Sequence, residues 1–148
     1  MEDDRTIIAV EWNGTVNVKR LARVVDAFRV VEAVDEAAVI DVLLTGDVAV
    51  AELNERYRGV KGPTDVLAFE TAPPGVEKLD VWALGQIVIS CDSAAEQARV
   101  TGIELGDELA TLLVHGLLHL AGYNHDDGEA TSAMNERSEL ILSKVLDV

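Results

Sequence analysis

The chain has 148 residues, and 12 Lys and Arg against 27 Asp and Glu leave a formal net charge of −15; that length suits one domain, and 49% apolar residues with a mean hydropathy of +0.17 supply a core, which excludes global disorder. No apolar run approaches the roughly 18 residues that span a bilayer, the acidic start MEDDR is not a secretory signal, and a pI near 4.4 excludes electrostatic coating of nucleic acid. The single cysteine, Cys91, allows no internal disulfide, so a reducing, cytoplasmic setting without a membrane partner is expected.

Residues 5–11, RTIIAVE, read as a strand rich in Ile and Val. Over residues 18–34, Leu21, Val24, Val25, Phe28 and Val31 recur at helical spacing, with Asn17 as the N-cap. Residues 39–45, VIDVLLT, read as a buried strand. Asp47 can cap a helix running to about Tyr57, and Gly59 then stops it. Residues 65–70 and 82–90 are strands on either side of a loop at 71–80, marked by Pro73, Pro74 and Gly75. Helices follow at about 92–102, 107–121 and 127–146. The order predicts a single α/β (α+β) domain over residues 1–148, with a small sheet of about four strands and about five helices.

All three histidines of the chain lie within eleven residues, in HGLLHLAGYNH. His115 and His119 are four apart, so a helix presents both on one face, one turn apart. Gly122 can reverse the chain just beyond the helix and return His125 to the same ion. Three neutral imidazoles with an open fourth position describe a catalytic zinc site. On a helical wheel, Leu109, Leu112, Leu113, Gly116, Leu117 and Leu120 share one arc, and His115 and His119 fall just off its edge, lining a cleft. The spacing also matches that of metzincin proteases. Those carry Glu directly after the first histidine; Gly116 stands here and cannot accept a proton.

A second cluster is cationic. Arg56, Arg58 and Lys61 lie within six residues that hold no acid. Arg56 and Lys61 suit a solvated helix end, where cations complement the helix dipole. Arg58, just before Gly59, stands where a guanidinium can reach into a cleft and bind phosphate through two parallel hydrogen bonds.

Together the segments LN-x-x-YRG-x-x-x-PTDVLAF (residues 53–69), LGQIVIS (84–90) and HG-x-LHL-x-GYNH (115–125) resemble the YbeY family of bacterial metal-dependent endoribonucleases. The resemblance implies a compact fold with a small, mostly parallel mixed sheet, and one zinc ion held by His115, His119 and His125. It implies that Arg58 lies in the catalytic cleft with His115 and His119. It also implies cleavage of single-stranded RNA, in maturation of the small-subunit (16S) ribosomal RNA 3′ end and in ribosome quality control. Small-subunit ribosomal proteins and a ribosome-associated GTPase are the partners it implies; a monomer is expected. Asn124 and Gln86 stand where the family usually has Asp, and Ala68-Phe69-Glu70 where it commonly has Ser-Phe-Pro. Asn124 and Gln86 are therefore expected beside the ligands, able to orient them without charge.

The remaining residues have plainer readings. Asp126, Asp127 and Glu129 suit capping of the last helix. Cys91 reads as buried or half-buried, Trp12 and Trp82 as packing, and Phe69 and Tyr123 as packing able to stack on bases. Thr64 and Asp65 read as a strand start. From Glu104 to Val148 nine acids face two bases, a balance of −7, so free RNA should bind weakly and in a salt-sensitive way. The rival readings are a non-catalytic ribosome-assembly factor with a structural metal, and a metal hydrolase acting on a peptide or ester.

Overall fold

The computed structural model describes residues 5–34, 38–69, 83–123 and 128–146. They form β1 (Thr6–Val10), α1 (Val18–Val31), β2 (Val39–Thr45), α2 (Asp47–Arg58), β3 (Val66–Phe69), β4 (Ala83–Ser90), α3 (Cys91–Thr101), α4 (Leu105–Leu120) and α5 (Gly128–Leu146). All nine expected elements are present, with β2 at its predicted bounds and the others shifted by at most three residues at an end. The loop expected at 71–80 and Trp82 lie outside the described residues. Among those described, no helix is long and apolar enough to cross a membrane.

The sheet has the order β1-β2-β4-β3. β1 pairs with β2 and β2 with β4 in parallel, and β3 lies antiparallel on β4. The expected mixed, mostly parallel sheet is thus found, with β1 and β3 as its edges. Side chains alternate between its faces. Ile40, Val42, Leu44, Ile87 and Ile89 point into the main core, where they meet Leu21, Val25 and Phe28 of α1 and Leu109, Leu113 and Leu117 of α4. Leu67 and Val88, with Leu43 and Phe69, point to the other face, where among the described residues Val50 and Leu53 of α2 pack on them.

Helix α4 is the centre of the thicker face. Its Leu-rich arc is buried as the wheel predicts, but Val114 and Leu118, outside that arc, are buried too. The reason is tertiary: α1, α3 and α5 also pack on α4, so little of it faces water. A helix apolar on most sides is a core helix. Each fully buried Leu contributes about 1.5–3 kcal/mol.

The caps show where local reading holds and where it fails. Asn17 caps α1 as expected, accepting the Arg20 N–H at 3.1 Å. Asp47 does not cap α2. The N-cap is Gly46, and the Asp47 carboxylate accepts the hydroxyls of Ser90 and Ser93, at 2.5 and 2.6 Å, at the start of α3. In return Asp92 accepts the Asp47 N–H at 2.9 Å and the Trp12 indole N–H at 3.0 Å. These bonds, the first above all, hold the Asp92 carboxyl below its ordinary value. The two helix starts cap each other. Cys91 beside them is buried, and burial, then the Asp92 charge, pushes its thiol up to about 11. On the far edge, buried Arg29 ties the entry to β1 by donating to the Ala38 and Arg5 carbonyls at 2.8 and 2.9 Å.

Candidate active site

Helix α4 positions His115 and His119. Both are half-buried, with ring centroids 6.3 Å apart and planes tilted by 36°. Gly116, between them, is buried against β4: a Cβ there would stand 3.0 Å from Ile87 Cγ2. The helix approaches the sheet so closely that a side chain at position 116, the acid of the protease reading included, would crowd Ile87.

The last turn of α4 closes on Gly122, at φ +103°. The Gly122 N–H donates to the His119 carbonyl at 3.1 Å, and the Tyr123 N–H to the Leu118 carbonyl at 3.0 Å. This pair is the Schellman arrangement that left-handed backbone at Gly122 permits. It satisfies two end carbonyls and turns the chain back, as the sequence predicts. Tyr123 then packs against the main core. Its phenol is raised by burial first and by a hydrogen bond to Glu32 next; Glu32 also pairs with Arg137 at 3.6 Å. Asn124, His125, Asp126 and Asp127 lie outside the described residues, as does the side chain of Glu129.

The cationic cluster divides. Arg58, the final residue of α2, lines the same cleft as His115 and His119. The loop that follows is tied down by Asn54, whose side chain donates to the Gly62 carbonyl at 2.9 Å. Arg56 and Lys61 are exposed and are not part of the cleft wall. Arg56 stands over the ring of Tyr57, 6.0 Å from its centroid. Tyr57 meets Phe69 edge-on at 5.9 Å, so Phe69 packs under α2. Gln86 is not brought to the cleft. It alternates with Ile87 on β4, which points into the main core, so Gln86 lies on the opposite face from α4. The expectation that it stands beside the ligands is corrected accordingly.

The cleft has a volume of about 660 Å³ and is walled by Asp65, Val66, Leu67 and Ala68 on one side and His115, His119, Leu120 and Tyr123 on the other. Asp65 makes the expected strand start, its Oδ1 accepting the Val66 N–H at 2.8 Å. It is also a cleft wall, which the turn reading overlooked. Its Oδ2 accepts from Gln97 at 3.4 Å. Farther along α4, Glu108 is pushed up by burial first and by the Asp65 charge second.

The donor set fits a metal ion. Two imidazoles on one tetrahedral zinc, at N–Zn distances of about 2.0–2.1 Å, have ring centroids roughly 5 Å apart; the pair here stands at 6.3 Å. Among the described residues no third His, Cys, Asp or Glu joins them; His125, the expected third ligand, is not one of these residues.

Known proteins are similar along nearly the whole chain. Residues 9–146 match the family model described as Endoribonuclease YbeY. An "Endoribonuclease YbeY" of Moorella thermoacetica is 43% identical over 135 residues, 84% of each chain. One of Roseiflexus castenholzii is 42% identical over 159 residues, covering 96% of this chain and 94% of its own. The solution structure of TM1509 from Thermotoga maritima superposes with a TM-score of 0.63 at 26% identity, covering 95% of this chain and 88% of that one. With the family model covering all but the chain's two ends and relatives this similar over most of their length, the chain belongs to the endoribonuclease YbeY family.

Proposed function

We propose that this chain is a zinc-dependent endoribonuclease that cuts single-stranded RNA. Its substrate is ribosomal RNA, at the small-subunit 3′ end and in ribosome quality control, with small-subunit proteins and a ribosome-associated GTPase as partners. The observation that carries this reading is the meeting of Arg58 with His115 and His119 in one cleft, from helices on opposite faces of the sheet. A guanidinium in such a slot donates paired hydrogen bonds to phosphate oxygens and stabilises the charge that grows on them during cleavage. Helix α4 is held on most of its sides by the core, so the imidazoles keep their aim. His115, His119 and His125 would hold a zinc ion, which would supply Lewis-acid polarisation of the scissile phosphodiester. Arg56 and Lys61, exposed outside the cleft, attract the approaching strand; the acidic remainder of the chain repels it. Specificity then comes from the ribosomal partners.

The test is cleavage of a single-stranded RNA by zinc-loaded protein, with zinc content measured alongside. Wild type should hold about one zinc per chain and cleave. Arg58→Ala should keep its zinc and lose about 10²–10³ in kcat/KM. His119→Ala should lose both zinc and activity. Equal trace cleavage in all three preparations would mark a contaminant and favour the assembly-factor reading.

A further inference from the structure

Among the described residues, strand β3 is paired along one of its two edges. The Ser90 N–H donates to the Asp65 carbonyl at 2.8 Å, and the register continues with Leu67 opposite Val88 and Phe69 opposite Gln86. Main-chain groups of an antiparallel strand point alternately to its two sides. Asp65, Leu67 and Phe69 therefore bond towards β4, while Val66 and Ala68 turn theirs outwards. A separate contact agrees, because the Val66 N–H donates to the Asp65 side chain at 2.8 Å and not to a strand. Among the described residues no strand pairs with this outer edge. Val66 and Ala68 are also cleft walls, beside Arg58, His115 and His119, and Ala68 is exposed.

We propose that this edge is the seat of the substrate strand: the Ala68 N–H and the Val66 and Ala68 carbonyls bind the ribose–phosphate chain, and the carbonyls read its 2′-hydroxyls. This rests on the endoribonuclease reading and adds to it a reason why RNA is preferred to DNA. A carbonyl needs a donor; the 2′-hydroxyl is one, and deoxyribose has none. An edge strand can equally accept an extended peptide. Arg58 in the same slot favours a polyanion instead. The nearby Asp65 charge is tempered by the hydrogen bonds that Val66 and Gln97 donate to it.

Two measurements test the seat. In a substrate scanned with single 2′-deoxy nucleotides, one or two positions near the cut should lower wild-type kcat/KM by about fivefold each, the worth of one hydrogen bond. In wild-type protein with an excess of the short RNA left after complete digestion, amide exchange at Ala68 should slow by about fivefold or more, while Leu67, already bonded to β4, stays unchanged. Ala68→Pro removes the donor at a position where an edge strand tolerates proline; it should raise KM by about fivefold and leave zinc content intact. RNA cleavage with a flat deoxy scan and an unmoved Ala68 amide would overturn the seat and leave the endoribonuclease reading standing. Slowing of the Ala68 amide by an extended peptide and not by RNA would also overturn it. If zinc-loaded wild type cleaves no RNA, both fall together.

Discussion

The two faces of the sheet are covered unequally. On one, α1, α4 and α5 bury a continuous core; on the other, among the described residues, α2 is the helix that covers Leu67 and Val88. The candidate site draws on both. Its imidazoles stand on the most buried helix of the thick face. Its guanidinium comes from the end of α2, on the thin face, and lines the same cleft. Chemistry that needs fixed ligands and an adaptable phosphate clamp gains from this division: rigidity is concentrated where a metal would be held, and the arginine sits where the chain has fewer neighbours to restrain it.

The same deletion on each face probes the contrast most strongly. Leu113→Ala, under α4, should cost about 4–5 kcal/mol of unfolding free energy, and Leu67→Ala, under α2 at the sheet edge, about 2–3 kcal/mol, because a thinly covered site collapses more easily around the lost volume. Urea denaturation of both variants measures the difference; equal losses would remove the distinction between the faces. Next in size is Gly122→Ala, which forces a Cβ into left-handed backbone at φ +103°. It should cost about 1–2 kcal/mol and weaken zinc binding beyond that, whereas Gly102→Ala, at a left-handed turn ending α3, should cost a similar amount of stability and spare the zinc.

The smallest effect lies at the seam between the faces. Burial and Asp65 raise the Glu108 carboxyl, so its charged form is disfavoured in the folded chain. Stability is then lost as pH rises from the ordinary carboxylate value through the raised one. Glu108→Gln should raise Tm at pH 7, by roughly 1 °C given that the group is only half-buried and solvent screens it. The gain should vanish below about pH 4, where both states hold the proton. A gain that persists at low pH would show that packing, not charge, is responsible.

Much of this was legible in the residues. The alternating and 3.6-residue patterns are local, so β2 is found at its predicted bounds and α4 within two residues of them. The H-x-x-x-H spacing and the glycine turn are local as well, and both are seen. What the chain order does not contain is which neighbour arrives from afar. Asp47 was free to cap its own helix until Ser90 and Ser93 claimed it. Gln86 lies three residues from Ile89 on a strand, and which of the two points to the histidines depends on where α4 docks. Asp65 does what a turn residue does, yet the same position before an edge strand also makes it a cleft wall. Its place directly after the cationic loop was the available signal.

A sheet whose described strands end at two edges, β1 and β3, with Ile7 and Val10 exposed along the first, invites other copies to add strands to it. The charge of −15 opposes that invitation from a distance, since copies repel before their edges can align. Acidity therefore acts as a colloidal safeguard for an open ribbon, and added salt, by shortening the reach of that repulsion, withdraws the safeguard and leaves the ribbon open.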